Sequence, residues 1–390
     1  GNLQEVQALP GESVPVNIDI SFDAQPGVEY FLNLKASLKN RDGLLEAGTE
    51  LAAGQIVLPV SVALPAVNIA AMPAISTKES DNEVEVAGEG FSIIFDKTAG
   101  TISSFKKGET EFIKRGPEPN FWRAPIDNDF GNNLHQRSRI WREAGKERRV
   151  ESVDVTKNSG ISVKVAFAFN LVDNQDETIA KHNTAYTVFG SGDVVVENHF
   201  KMTKNNLPEI VRMGTNLIMP RQFDQMAWLG RGPHESYWDR KTGAFVGLYE
   251  GSVADQFWAY IRPQENGNKT DVRWMTIKDR AGNGIFFAGM PLLEVSAHHN
   301  LQEDLESMER TDGRQREGDQ VVNRHINDVK PRNLTSVNVD YRQMGVGGDN
   351  SWGAWTHDQY RLTGKEYKYS FRMKGIGPED SATELAKQKF

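Results

Sequence analysis

The chain has 390 residues, of which 38% are hydrophobic and 25% are charged, a balance typical of a soluble globular protein. That length predicts two domains, and the net charge of -8 argues against a nucleic-acid partner. No stretch approaches the ~20 apolar residues of a membrane span, and the lack of cysteine excludes disulfides and thiolate metal sites.

Strand patterns dominate from the start of the chain. The segments "SVPVNIDISF" (13–22), "YFLNLKASL" (30–38) and "QIVLPVSV" (55–62) are rich in alternating or β-branched apolar residues and predict strands. We expect residues 1–65 to form a β-sandwich unit, truncated at its N-terminus because three or four strands are too few for a two-sheet sandwich. The Pro- and Ala-rich residues 66–81 are expected to be a linker.

From residue 82 to 376 the strand pattern continues with few interruptions, which predicts one large antiparallel β domain, followed by a C-terminal tail at 377–390. The segment "NTAYTVFGSGDVVVENHFKM" (183–202) has the pattern of a β-hairpin. Short helices are predicted in "LHQRSRIWREAG" (134–145), in "LQEDLESMER" (301–310) and within the tail.

The densest polar loop is "PNFWRAPIDNDFGNN" (119–133), which contains Arg123, Asp127, Asn128, Asp129 and Gly131. Carboxylate and amide side chains at this spacing suit a hard cation or the hydroxyls of a sugar. They suit equally well a turn in which Asx side chains bind their own backbone.

Two further loops collect charged and aromatic residues. "LGRGPHESYWDRKTGAF" (229–245) contains Arg231, His234 and Glu235, which suit either acid–base chemistry or a structural knot of ion pairs. "YIRPQENGNKTDVRW" (260–274) adds Glu265 and Asn266. The adjacent histidines 298 and 299 lie on a predicted strand and therefore face opposite ways, which argues against a shared metal.

The loop "MGVGGDNSW" (344–352) places three glycines, Asp349 and Asn350 before Trp352. Glycine permits close backbone approach and tight turns. Two interpretations remain open from the residues alone, a turn closed by a core aromatic, or a rigid loop that presents an indole at an edge. Trp355 is expected to belong to the core.

The segments "FWRAPIDNDFGNN", "LGRGPHESYWDRKTGAFVG", "RPQENGNKTDVRW" and "MGVGGDNSW", in this order, resemble the C-terminal region of the large β-galactosidases of glycoside hydrolase family 2. The resemblance implies an all-β chain: a partial immunoglobulin-like β-sandwich, then an antiparallel β-supersandwich similar to aldose mutarotases. It implies that the (β/α)8 barrel, with both catalytic glutamates and any divalent or monovalent cations, is absent from this sequence. The chain would hold no catalytic residue, metal or cofactor.

The resemblance also assigns partners and positions. The partners would be the barrel of the same parent chain and a galactoside substrate, with homo-oligomerisation left open. Trp352, with Asp349 and Asn350, would contribute to the galactoside pocket, and the loop around Gly131 would lie nearby. The alternatives are a stand-alone carbohydrate-binding module and a mutarotase-like enzyme using His234 with Glu235 or Glu265. The preferred galactoside and the compartment, periplasmic or cytoplasmic, are not determined by the sequence.

Overall fold

The computed structural model describes residue 3 and residues 6–158, 160–306 and 325–390. The chain divides into two compact units. The first comprises residues 1–66 with residue 389, and the second comprises residues 67–388 with residue 390. Within the described part of the chain, none of the helices combines the length and apolar character that a membrane crossing requires.

The first unit contains one antiparallel strand pair, β1 (Tyr30–Ser37) and β2 (Glu50–Leu58), among its described residues. The strand predicted at 13–22 is wrong. That segment has no neighbouring strand to accept its backbone hydrogen bonds, and its side chains Val14 and Ile20 are exposed. A strand pattern becomes a strand only where a partner ladder satisfies the backbone.

The second unit begins with a five-stranded antiparallel sheet in the order β3-β4-β5-β6-β7. The segment 66–81 includes a 3-10 turn at Ile69–Ala71 and the first of these strands. The bounds are β3 Ser76–Glu79, β4 Glu83–Gly88, β5 Phe91–Asp96, β6 Thr101–Lys107 and β7 Thr110–Glu111.

Twelve strands of the described chain form a second sheet, whose main path is β15-β14-β16-β17-β19-β12-β11-β10-β9. Strand β18 pairs with β17 and with β13, and β13 pairs with β8. The bounds are β8 Arg115–Asn120, β9 Arg149–Asn158, β10 Ser162–Val172, β11 Thr178–Phe189, β12 Asp193–Met202, β13 Arg212–Met219, β14 Gln225–Gly232, β15 Phe245–Ser252, β16 Lys269–Lys278, β17 Gly284–His298, β18 Thr335–Gln343 and β19 Glu366–Ile376.

One hydrophobic core contains buried side chains from both sheets. The ring of Phe95, from the five-stranded sheet, packs against Tyr186 and Phe167 of the large sheet, at centroid distances of 5.3 and 6.4 Å. All three side chains are at most 1% exposed. Face-to-face packing of two antiparallel sheets confirms the predicted all-β architecture. The predicted hairpin at 183–202 is also confirmed, as β11 and β12.

The helices are short: α1 Asp127–Gly131, α2 Leu134–Arg137, α3 Ile140–Ala144 and α4 Ala382–Ala386. The helices predicted in 134–145 and in the tail are confirmed. The segment 301–310 forms a 3-10 turn over Gln302–Leu305, whereas its last residues lie outside the described chain.

Candidate functional site

A cleft of about 300 Å³ lies where the four polar loops of the sequence meet. Each loop contributes to its lining. The polar side chains and glycine include Asp127, Asn128, Arg240, Tyr260, Gln264 and Gly347. Segments separated by more than 200 positions thus form one concave surface, lined by hydrogen-bonding groups and the ring of Tyr237.

Trp352 lies on the loop at 344–352, and its side chain is 87% exposed. This exposure excludes the interpretation of Trp352 as a core aromatic. The amide oxygen of Asn350 accepts hydrogen bonds from the backbone N–H groups of Trp352 and Ala354, at 2.9 and 3.3 Å. Asp349 pairs with His357 at 2.8 Å. Both polar residues therefore hold the loop conformation.

Gly131 and Gly353 bring two loops into backbone contact. A Cβ added to Gly131 would lie 2.6 Å from the Cα of Gly353, and Gly353 itself has a φ of +103°. Asn128 extends the contact, because its side-chain amide donates to the carbonyl of Asn350 at 3.1 Å. Helix α1 and the loop at 344–352, called the tryptophan loop below, are therefore packed together, with Gly353 directly after the loop at the point of contact.

Arg123 and Asp129 form a buried ion pair beneath this contact, with the carboxylate accepting at 3.2 and 3.1 Å. The guanidinium also donates to the carbonyls of Met344 and Gly345, at 2.5 and 3.1 Å. Asp129 accepts from the N–H of Ile126, as the third residue of a helix commonly does. Neither side chain is available to bind a sugar or a cation, so they anchor the loop.

Arg231 and His234 lie outside the cleft lining. Arg231 pairs with Asp271 at 2.5 Å and donates to two backbone carbonyls, which makes it part of a structural ion-pair cluster. His234 is exposed. Glu235 lies behind the cleft wall, where it accepts from Arg240, Tyr260 and the N–H of Gly267.

Glu265 lines the cleft, and its carboxylate is hydrogen-bonded to residues outside the cleft lining. One of its oxygens accepts from Arg212 at 2.8 Å and from Gln343 at 3.1 Å. The side-chain amide of the neighbouring Asn266 accepts from the backbone N–H of Trp258 and donates to the backbone carbonyl of Gln264, both at 3.0 Å. This arrangement fixes the wall of the cleft and leaves Glu265 with little freedom to act as an acid or base.

Trp355 is not a core residue, contrary to the prediction. It is 46% exposed, and its ring stacks with the guanidinium groups of Arg137 and Arg361, at 3.8 and 4.5 Å from the ring centroid. Both arginines also pair with Glu209. Cation–π stacking lets a half-exposed indole pack firmly without entering the apolar interior.

The two adjacent histidines face different neighbours. Nε2 of His298 lies 2.9 Å from the carbonyl oxygen of Asn266, and Nδ1 of His299 lies 2.9 Å from that of Leu334. Within the described residues, no group of three or more acidic or histidine side chains is arranged to hold a metal ion.

The sequence pattern of the family described as "Beta galactosidase small chain" matches residues 87–373, and that of "Beta-galactosidase, domain 4" matches residues 1–59. The first match spans well over half of the chain. The chain belongs to the β-galactosidase small-chain family.

Among its relatives is a β-galactosidase of Priestia megaterium, 38% identical over 89% of this chain and 32% of the relative. A β-galactosidase of Halalkalibacterium halodurans is 32% identical over 92% of this chain and 34% of that protein. This small-chain family member therefore spans about a third of the length of the β-galactosidases it matches.

Among solved structures, galactose 1-epimerase from Lactobacillus acidophilus aligns with 78% of the small-chain family member and 98% of its own chain. The TM-score is 0.39 at 9% identity. An aldose epimerase homologue from C. elegans aligns over 78% and 99%, with a TM-score of 0.35 at 11% identity.

One cluster of this family member was not found from the sequence. Behind Glu265, Glu294 on β17 lies directly opposite Asp340 on β18, and Arg212 approaches Asp340 at 3.2 Å. Burial raises the pKa of Glu294 to about 8 and that of Asp340 to about 7. Each is the single acidic residue of its strand, so only the strand pairing reveals that they meet.

Proposed function

We propose that this chain is the C-terminal part of a β-galactosidase, in which the loop at 344–352 forms one wall of the substrate pocket. The observation that carries the proposal is the exposed indole of Trp352 on an anchored loop, directly after Ser351, which lines the polar cleft. Trp352 is the most exposed tryptophan of the described residues, at 87% against 59% for Trp258 and 46% for Trp355. An exposed ring of this size on a fixed loop calls for a ligand to cover it.

The cleft has the chemistry that a sugar requires. The flat indole can cover the apolar C–H face of a galactoside, while the sugar hydroxyls remain hydrogen-bonded at its edge. Asn128, Arg240 and Tyr260 line the cleft with donors and acceptors. Burial raises the pKa of Tyr260, and its hydrogen bond to Glu235 raises it further, so the phenol stays protonated and donates to Glu235.

The chain alone is proposed to be inactive in hydrolysis. A retaining glycosidase needs two carboxyl groups about 5 Å apart on either side of the scissile bond. Glu265 lines the cleft and Glu235 contacts two of its lining residues, and both already accept from cationic and amide donors. We therefore assign both catalytic carboxylates, and any cations they need, to the barrel of the longer enzyme.

The first experiment uses the purified chain. A single aromatic contact contributes about 0.5–1.5 kcal/mol, whereas even millimolar binding needs roughly 4.1 kcal/mol. We expect neither turnover of nitrophenyl-galactoside nor measurable calorimetric binding of galactose. Turnover in contaminant-free preparations would contradict the proposal, micromolar binding would favour a stand-alone module, and faster mutarotation of α-galactose would favour a mutarotase.

The second experiment uses the full-length enzyme that contains this chain. We expect Trp352→Ala to lower kcat/KM for nitrophenyl-galactoside by about 10- to 100-fold, corresponding to roughly 1–3 kcal/mol of lost contact. Trp352→Phe keeps a smaller platform and should recover part of the loss. Leu248, 65% exposed on β15, offers a control in Leu248→Ala. Equal kinetics for Trp352→Ala and this control would refute the role of the indole.

A further inference from the structure

The turn at 237–240 touches the tryptophan loop through a single carboxylate. Oδ1 of Asp239 accepts the backbone N–H of Val346 at 3.1 Å, and Oδ2 accepts that of Gly347 at 2.6 Å. Both bonds end on main-chain amides, so the carboxylate fixes the backbone conformation at the start of the loop.

The glycines of the loop make room for this carboxylate. A Cβ on Gly345 would lie 2.6 Å from the Cγ of Asp239, and a Cβ on Gly347 would lie 2.8 Å from its Oδ2. On the carbonyl side of the same segment, the hydroxyl of Thr356 lies 3.1 Å from the oxygens of both Gly345 and Gly347. The segment 345–347 is therefore held through its N–H groups and through its carbonyls.

The same turn also builds the cleft. Tyr237 and Arg240, on either side of the turn, line it together with Gly347 and Ser351 of the tryptophan loop. A shift of the loop away from Asp239 would therefore change the position of Trp352 relative to the opposite wall. The contact made by Asp239 therefore links the position of the cleft wall at Tyr237 and Arg240 to the position of the Trp352 indole.

We propose that Asp239 is a positioning residue for Trp352, acting through the backbone amides of Val346 and Gly347. The proposal rests on the function proposed above, because it concerns how the indole is held at the galactoside pocket. Asp239 itself makes no contribution to the chemical step.

The test compares four variants. Asp239→Asn keeps the shape of the side chain but places an amide donor against a backbone donor, so that one of the two bonds is lost. Gly347→Ala disturbs the same contact from the other side, because the atoms nearest its new Cβ belong to Asp239. Trp352→Ala removes the platform. Asp96→Asn is the control for the loss of a carboxylate charge at main-chain N–H groups. Oδ1 of Asp96 accepts both N–H groups, at 2.7 and 2.8 Å, in the β5–β6 turn, so an amide oxygen can keep both bonds.

In the full-length enzyme, we expect Asp239→Asn and Gly347→Ala each to lower kcat/KM by about tenfold, with Asp96→Asn within about twofold of the parent. On the Trp352→Ala background, Asp239→Asn should change kcat/KM by less than about twofold, because residues that act through one another are not additive. In the present chain, Asp239→Asn should increase amide hydrogen exchange in peptides covering 344–356.

The outcomes separate this inference from the proposed function. If Trp352→Ala has no effect, the proposed function fails. If Trp352→Ala reduces kcat/KM but Asp239→Asn does not, the pocket wall stands and the positioning role is refuted. A loss from Asp239→Asn that is equally large on the Trp352→Ala background would also refute it, because Asp239 would then act through something other than the indole.

Discussion

The buried carboxyl group of Glu294 leads to a prediction about stability and pH. Burial raises its pKa to about 8, against an ordinary value of 4.5, and the nearby Asp340 raises it further, whereas the N–H of Gln343 and Arg342 oppose the shift. At neutral pH the folded chain therefore holds Glu294 mainly in its protonated form.

The sign of the effect follows from proton linkage. Above the unfolded pKa of 4.5 the unfolded chain releases this proton while the folded chain retains it, so stability falls as pH rises until the folded pKa of about 8 is passed. The difference between the two pKa values corresponds to at most roughly 5 kcal/mol of unfolding free energy. The stabilisation that protonated Glu294 provides is fully present below the unfolded pKa and is lost as the pH rises through the folded pKa.

Glu294→Gln removes the ionisation while keeping the shape and an oxygen that can accept from the N–H of Gln343, which Glu294 meets at 3.2 Å. We expect the variant to match the parent at about pH 4 and to exceed its unfolding free energy by several kcal/mol at about pH 9. A smaller pH dependence should remain, because Asp340 also has a raised pKa.

The assay is urea unfolding followed by tryptophan fluorescence, at intervals between about pH 4 and pH 9. All eight tryptophans lie in the second unit, so the signal reports on the unit that contains Glu294. Glu250→Gln on the exposed side of β15 controls for the removal of one negative charge. Parallel stability curves for parent and Glu294→Gln would refute the reasoning.

Two further predictions concern the anchors of the cleft. Arg123→Met should lower the unfolding free energy by about 3–5 kcal/mol, because it leaves Asp129 buried without a counter-charge; a loss below about 1 kcal/mol in the same urea assay would contradict this. Gly353→Ala should raise hydrogen exchange in both contacting loops, since its Cβ would lie 2.4 Å from the carbonyl carbon of Gly131. Unchanged exchange in peptides covering 126–134 and 346–356 would show that the loops are not packed as described.

The architecture could be predicted from the sequence because the relevant signal is local. Period-2 alternation predicted the strands of the large domain, and the "GSGD" turn predicted the β11–β12 hairpin. The pattern at 13–22 misled for the same reason, since alternation identifies a segment that suits a strand but carries no information about a partner. Val14 and Ile20 are exposed where a sandwich interior was expected.

The positions of the aromatic residues could be predicted only in part. Trp355 is an example, because the sequence analysis predicts it in the core, whereas it is 46% exposed. Its actual neighbours, Arg137 and Arg361, come from a helix more than 200 residues upstream and from a segment just downstream. Two arginine side chains that stack on a ring provide a packing surface that no hydrophobicity pattern reports.

The polar loop at 126–131 shows why a motif alone does not identify ligand-binding residues. Asp127 and Asp129 are two positions apart, yet Asp127 faces the cleft and Asp129 is buried against Arg123. The cause is the single helical turn of α1, which rotates successive side chains by about 100° and returns Asp129 to the N–H of Ile126. One acid of the pair therefore fixes the backbone that presents the other, and exchanging the two by sequence analogy would misassign both.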